Sequence, residues 1–247
     1  MVKQSAARVQ KDSSSYPPQL REIYDPPEQL FVRGRLPGQS RPSLAIVGTR
    51  RPGAAAMKHA LRLGRECAQM GITVVSGLAL GIDALAHRGC LDGGGITVAV
   101  LGSGVDQVYP ASNRDLARRI LESGGALVSE YEPGTKPAKW RYPARNRIIS
   151  GLARGVIIVE APEKSGALYT ASFALEQGRD LWVAPVSDRS LGTKALVRDG
   201  CGIITGIEEI LTEWNMEKPA AKKEHAPVFA KNTGSSLAKQ LQYDLGL

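Results

Sequence analysis

The stretch from Lys139 to Gly151, Lys-Trp-Arg-Tyr-Pro-Ala-Arg-Asn-Arg-Ile-Ile-Ser-Gly, holds the residues best suited to chemistry. Lys139, Arg141, Arg145 and Arg147 are cations. Trp140 and Tyr142 are flat rings. Asn146 both donates and accepts. Cations pair with phosphates and rings stack on bases, so this mixture suits a single-stranded nucleic acid better than a small neutral metabolite. Residues 132–154 carry six cations against Glu132 alone, a local basic patch. The plainer reading is a solvated charged face, and the interleaved rings argue against it.

A second set of residues sits where glycine turns follow apolar runs: Gly48-Thr49-Arg50, Ser76-Gly77 and Gly102-Ser103-Gly104. Ser165-Gly166 opens a later helix. In an open α/β sheet, ligands collect at the carboxyl ends of strands, and turns there expose N–H groups to anions. We therefore expect an anion rim from Gly48, Thr49, Ser76, Gly77, Gly102, Ser103, Ser165 and Gly166, beside a basic turn at Arg50-Arg51. The plainer reading of each glycine is a tight turn, and that of Ser165 a simple helix cap. Gln107 stands where a dinucleotide fingerprint needs glycine, and no Walker A pattern exists.

Two pairs with an acidic member have sharper and plainer readings. Asp83 and His87 lie four residues apart on one helix, as an acid–base dyad or half a metal site would. The plainer reading has Asp83 bracing the glycine turn with His87 behind it. A metal site would need more ligands than the other two histidines supply, so no metal and no cofactor is expected. Glu130 and Glu160 would suit hydrolysis as a pair. With arginines next door, pairing to Arg145 and Arg147 is the stronger reading.

These residues need a scaffold, and the chain reads as one. Leu44–Gly48, Ile72–Val75, Ile96–Leu101, Ala126–Ser129, Gly155–Glu160 and Leu181–Ala184 are strand-like apolar runs. Helical segments separate them: 54–70, to about 91, 113–123, the second half of the basic stretch, and 166–177. Lys194–Arg198, Gly202–Ile204 and Glu208–Trp214 close the series, and 27–34 reads as a short edge strand. Alternation on this scale predicts a doubly wound, mostly parallel sheet with helices on both faces. Residues 1–15 read as a disordered lead-in, 16–214 as the core domain, and 215–247 as linker and short tail.

The chain has 247 residues, 43% of them hydrophobic, enough for a sizeable core. The formal charge of +8 is spread thinly outside the basic stretch. Three widely spaced cysteines exclude a zinc ribbon and argue against a disulfide framework. Reduced cysteines and no long apolar run point to a cytoplasmic protein without a membrane partner.

Taken together, these motifs resemble the DNA-processing protein A family (DprA/Smf). The resemblance rests on Ala45–Arg50, Ser76–Asp83 with Ala86-His87, and Val100–Gly104 with Tyr109-Pro110. It continues through Ser129-Glu130, Tyr142–Ile149, Val159–Ala161 and Ser165–Ala171. It implies an extended Rossmann-like fold, usually dimeric. It implies a non-enzymatic protein that binds single-stranded DNA in natural transformation, protects it and loads the RecA recombinase. Arg50, Lys139 and Tyr142 match the family's DNA contacts; Tyr142 stands where the family usually has Phe. Val186 and Lys194 replace the usual Gly and Asn. Many members of the family also carry an N-terminal helical domain and a C-terminal winged helix, and neither is expected within this sequence. The alternative is a Rossmann-like enzyme cleaving nucleoside monophosphates, although its Pro-Gly-Gly-x-Gly-Thr turn is missing here.

Overall fold

The computed structural model describes residues 5–38, 41–185 and 190–217. Val186 and most of the expected linker and tail lie outside the described residues. In chain order the strands are β1 (Ala7–Gln10), β2 (Gln29–Gly34), β3 (Ser43–Val47), β4 (Thr73–Ser76) and β5 (Thr97–Val100). They continue as β6 (Ala126–Ser129), β7 (Gly155–Ile158), β8 (Asp180–Val183) and β9 (Gly202–Ile203). The helices are α1 (Pro18–Arg21), α2 (Ala54–Gln69), α3 (Ile82–Asp92), α4 (Arg114–Glu122), α5 (Arg141–Gly151), α6 (Gly166–Glu176), α7 (Leu191–Arg198) and α8 (Ile207–Glu213).

The strands form one sheet in the order β1-β2-β6-β5-β4-β3-β7-β8-β9. From β6 to β9 every pairing is parallel. The chain winds outward from β3 to β6, then returns to the other side of β3 and winds outward again. The point of reversal lies between β3 and β7, where a doubly wound sheet opens its ligand crevice.

Both faces of the sheet are covered, which explains the continuous apolar runs. Along β3 successive residues point to opposite sides. Ala45 and Val47 join a core with Ile148 and Ile149 of α5 and Ala167 and Ala171 of α6. Leu44 and Ile46 join the opposite core with Leu63 of α2, Ile82 and Ala86 of α3, and Ile207 of α8. Helix α4 covers the β5–β6 end through Leu116 and Ile120. Helices α2 and α3 meet at glycines. A Cβ on Gly64 would strike the Ala86 carbonyl oxygen, and one on Gly89 the Leu61 carbonyl oxygen.

The amino-terminal end departs from expectation. Residues 7–10, placed in a disordered lead-in, form β1, antiparallel to β2 with Val9 opposite Leu30. Strand β2, expected at an edge, is an inner strand between β1 and β6. Backbone pairing holds β1 in place, and its polar Arg8 and Gln10 gave no apolar signal. The Pro-rich entry is pinned as well: Tyr16 is fully buried and its hydroxyl donates to the Pro27 carbonyl at 2.7 Å.

Candidate nucleic-acid interface

Three turns at the carboxyl ends of β3, β4 and β5, together with the start of α5, build the site. After β3 the chain passes Gly48, which packs tightly enough that a Cβ would lie 2.7 Å from Ile82 Cγ1. The Thr49 N–H donates to the Glu160 carbonyl at 2.7 Å, and its carbonyl accepts from the Ile82 N–H at 3.2 Å. Thr49 Oγ1 accepts from the Arg51 N–H at 3.2 Å. Arg50 projects outward from this clamped turn and is exposed.

The turn after β4 supports Arg50 from beneath. Gly81 has φ 77°, and a Cβ there would strike the Thr49 carbonyl oxygen and the Arg50 backbone. The two turns therefore touch backbone to backbone. Leu78 holds φ 57°, a left-handed conformation costing on the order of 1–3 kcal/mol for a non-glycine residue. The Asn113 side-chain amide holds it there, donating to the Leu78 and Ala79 carbonyls at 2.9 and 3.3 Å.

Arg145 comes down from α5 into this turn and is only 4% exposed. It donates to the carbonyls of Gly77, at 2.7 Å, and Val100. Asp83 lies across Gly77 from it: a Cβ on Gly77 would fall 2.6 Å from both Arg145 Nη2 and Asp83 Oδ2. Burial pushes the Asp83 carboxyl up, although Arg145 pulls the other way, and burial lowers the Arg145 guanidinium. Arg145 was expected to touch DNA. It is instead an internal brace, because its donors are spent on carbonyls inside the protein.

Asp83 braces the glycine turn, accepting from the Ala79 N–H at 3.4 Å. His87 bonds elsewhere. Its Nδ1 lies 2.6 Å from Thr97 Oγ1, whose hydroxyl donates to the Val74 carbonyl at 2.7 Å. Burial drives His87 down to about 3, so the ring is neutral near pH 7. The two glutamates are also engaged separately. Glu130 takes both nitrogens of the Arg147 fork at 2.9 and 2.8 Å, and Arg147 also meets Asp25 at 2.9 Å. Glu160 Oε2 accepts from the Gly53 N–H at 3.3 Å, just before α2.

Asn146 is buried and ties α5 to α6: its amide donates to the Gly166 carbonyl at 3.0 Å and accepts from Arg145 Nε at 3.2 Å. Ser165 caps α6, accepting from the Ala167 N–H at 3.3 Å. The rim hydroxyls of Ser76 and Ser103 point inward, donating to the Ile46 and Gln107 carbonyls at 2.7 and 2.6 Å. The turns expected to present an anion rim thus spend these groups on one another. Gly102 serves a different end: a Cβ there would lie 3.1 Å from Tyr142 Cδ1, so the glycine leaves room for the ring.

What faces outward is a smaller group. Lys139 and Arg50 are exposed, Trp140 is 65% exposed, and Tyr142 is half-buried. The Arg50 Cζ lies 5.5 Å from the Tyr142 ring centroid, and the Tyr109 ring centroid lies 6.1 Å from it. No side chain caps the positive end of α5. Sequence reasoning missed Asn113, Gly81 and Tyr109 as supports. Only Gly81 carried a local signal, its place in a glycine-rich turn. A cavity of about 710 Å³ lies at the other end of the sheet, by Ser43 and Thr73 at the starts of β3 and β4. Among the described residues no cluster of His, Cys, Asp or Glu is placed to hold a metal ion, and no helix is long and apolar enough to cross a membrane.

Fold and site together define a Rossmann-like α/β protein whose strand-end rim presents cations and rings. The chain belongs to the DNA recombination-mediator protein A family, whose model matches residues 7–215. It is 42% identical over 210 residues to protein Smf of Escherichia coli K12, covering 82% of this chain and 55% of that protein. It is 42% identical over 205 residues to DNA processing protein DprA of Bacillus subtilis, covering 81% and 69%. The chain thus spans little more than half the length of its E. coli relative. The X-ray structure of DprA from Streptococcus pneumoniae matches with TM-score 0.79 at 39% identity, over 85% of this chain and 75% of that one. DNA processing protein A from Helicobacter pylori, a structure concerned with its single-stranded DNA binding mode, matches with TM-score 0.75 at 30% identity, over 85% and 95%.

Proposed function

We propose that this protein binds single-stranded DNA across the rim of Arg50, Lys139 and Tyr142, protects strands taken up in natural transformation, and loads RecA onto them. It does so as a homodimer in the cytoplasm, without catalysing a reaction. The observation that carries this reading is an exposed cation over a half-buried ring at the strand ends, Arg50 Cζ 5.5 Å from the Tyr142 centroid, with the exposed Lys139 three residues before that ring. Arg50 and Lys139 meet phosphates, and the ring edge left open by Tyr109 and Gly102 meets a base. Each stacked base contributes about 1–3 kcal/mol whatever its identity, so sequence preference is slight. Arg145, Asn146 and Arg147 serve the same function at one remove, by fixing α5. Membership of the family, and single-strand binding by the H. pylori relative, support the reading. Exposed Leu175, Leu191 and Ile203 on the last third of the fold offer apolar surface for a second copy.

The test is a gel shift with oligo-dT at two salt concentrations, using duplex as competitor. Wild type is expected to bind and to lose affinity steeply with salt. Arg50→Ala combined with Lys139→Ala is expected to lose most binding and to flatten the salt slope by about 0.7 for each lost phosphate contact. Unchanged binding by that double variant sinks the site assignment. RecA loading is tested by strand exchange on DNA precoated with single-strand binding protein, which the wild type is expected to relieve.

A further inference from the structure

We infer a second base-stacking subsite on Trp140, beside the Tyr142 subsite and built differently. This inference rests on the single-strand reading above and extends the strand's path around the start of α5. Tyr142 is hemmed in by Gly102, Tyr109 and Arg50, so little of its ring is open. Trp140, two residues earlier, is 65% exposed. A large apolar ring left in water is a cost unless something covers it.

The ring is nevertheless held. The Arg141 Cζ lies 4.8 Å from the Trp140 ring centroid and 4.7 Å from the Tyr131 ring centroid. Tyr131 meets Trp140 edge-on, with centroids 6.3 Å apart and planes at 88°. Arg141 is itself fixed, donating through Nη1 to the Lys136 carbonyl at 2.6 Å. One side of the indole is therefore backed by a guanidinium and a phenol while most of its surface faces solvent. A backed, exposed indole whose preceding residue is the exposed Lys139 is a platform for a nucleobase, with a cation next in the chain for the adjoining phosphate. Stacking on the open face of the indole is sequence-neutral, because every base presents a π-face. The occupant is a base of any identity, in a strand already engaged at Tyr142.

The composition of the chain makes the test direct. It has three tryptophans, and the other two, Trp182 and Trp214, are 4% and 7% exposed and pack on each other in the core beneath α8. Trp140 is the tryptophan that a ligand can reach. Titration of the protein with oligo-dT is expected to quench its tryptophan fluorescence. Trp140→Phe is expected to abolish the quenching while keeping affinity, read by anisotropy of a labelled strand, within about threefold. Trp140→Ala is expected to weaken binding by about five- to hundredfold, the range for one lost stacked base. The gap between Trp140→Ala and wild type is expected to close on a strand whose sugars carry no bases. Wild-type binding without quenching, together with unchanged affinity of Trp140→Ala, overturns the subsite and leaves the Arg50–Lys139–Tyr142 reading standing. Absence of binding by wild type overturns both. Trp140 is exposed, so neither variant disturbs the core, and the near-ultraviolet signal of Trp182 and Trp214 checks that the fold is intact.

Discussion

Arg145 is the strongest test of how the rim is held. Replacing it with methionine keeps the length of the side chain and removes five donors and a charge. Four groups lose a partner: the carbonyls of Gly77 and Val100, the Asn146 side-chain oxygen, and the Asp83 carboxylate across Gly77. Removing one member of a buried charge pair costs about 3–5 kcal/mol, because the other is left uncompensated. For a chain of this size each kcal/mol lowers Tm by about 2–4 °C, so Arg145→Met is expected to melt roughly 6–20 °C below wild type. Part of the loss belongs to Asp83 and has a pH signature. Burial already pushes its carboxyl up, so folding disfavours its charged form relative to the unfolded chain. Without Arg145 that preference grows. The deficit of the variant is expected to be smaller near pH 4 than at pH 8, since protonation removes the stranded charge. Asp83→Asn should therefore cost less in the Arg145→Met background than alone, a coupling that a double-mutant cycle measures. Urea midpoints at both pH values read all of this. A loss under about 1 kcal/mol at pH 8, or additive single variants, would refute the claim that Arg145 neutralises Asp83 inside the turn.

Two further perturbations follow from the packing. Gly89→Ala puts a methyl into the Leu61 carbonyl across the α2–α3 contact; the overpacking cost of about 1–3 kcal/mol exceeds the helix-propensity gain of about 1. Gly166→Ala, which meets nothing within 4 Å, is the control, and denaturant midpoints should fall only for the first. His87 predicts an acid-side loss. Its folded value, about 3, lies below the ordinary 6.5, so the unfolded chain binds the proton first. The stability it contributes is present above pH 6.5 and falls away as pH drops toward 3. His87→Leu should flatten that part of the profile, and parallel slopes for the two proteins would count against it.

Much of the fold was legible because parallel strands buried on both faces must be apolar throughout. Leu44–Gly48 and Gly155–Glu160 announce themselves that way, and the glycine turns mark where each strand ends. Strand β1 left no such trace, since an edge strand is held by backbone hydrogen bonds that any residue supplies. The site divided along the same line. That cations and rings gather at Lys139–Arg147 is a fact of composition, and so is the run of motifs by which the family is known. Their roles are not. Helix α5 turns Arg145 and Arg147 inward, to carbonyls and Glu130, whereas Lys139 before it and Arg50 in the turn after β3 face water. The hydroxyls of Ser76 and Ser103 face inward for the same reason.

The basic, aromatic stretch of Lys139–Gly151, and the ligand type expected for it, were thus read from sequence alone. Which of its members can reach a ligand was decided by tertiary structure. Burial strips water from a charge and forces it to find an internal partner, while an exposed charge stays free. No local pattern of residues records which of the two has happened. The same holds for the two rings: Gly102 and Tyr109 enclose Tyr142 from segments far away in the chain, whereas Trp140 stays open in front of Arg141 and Tyr131.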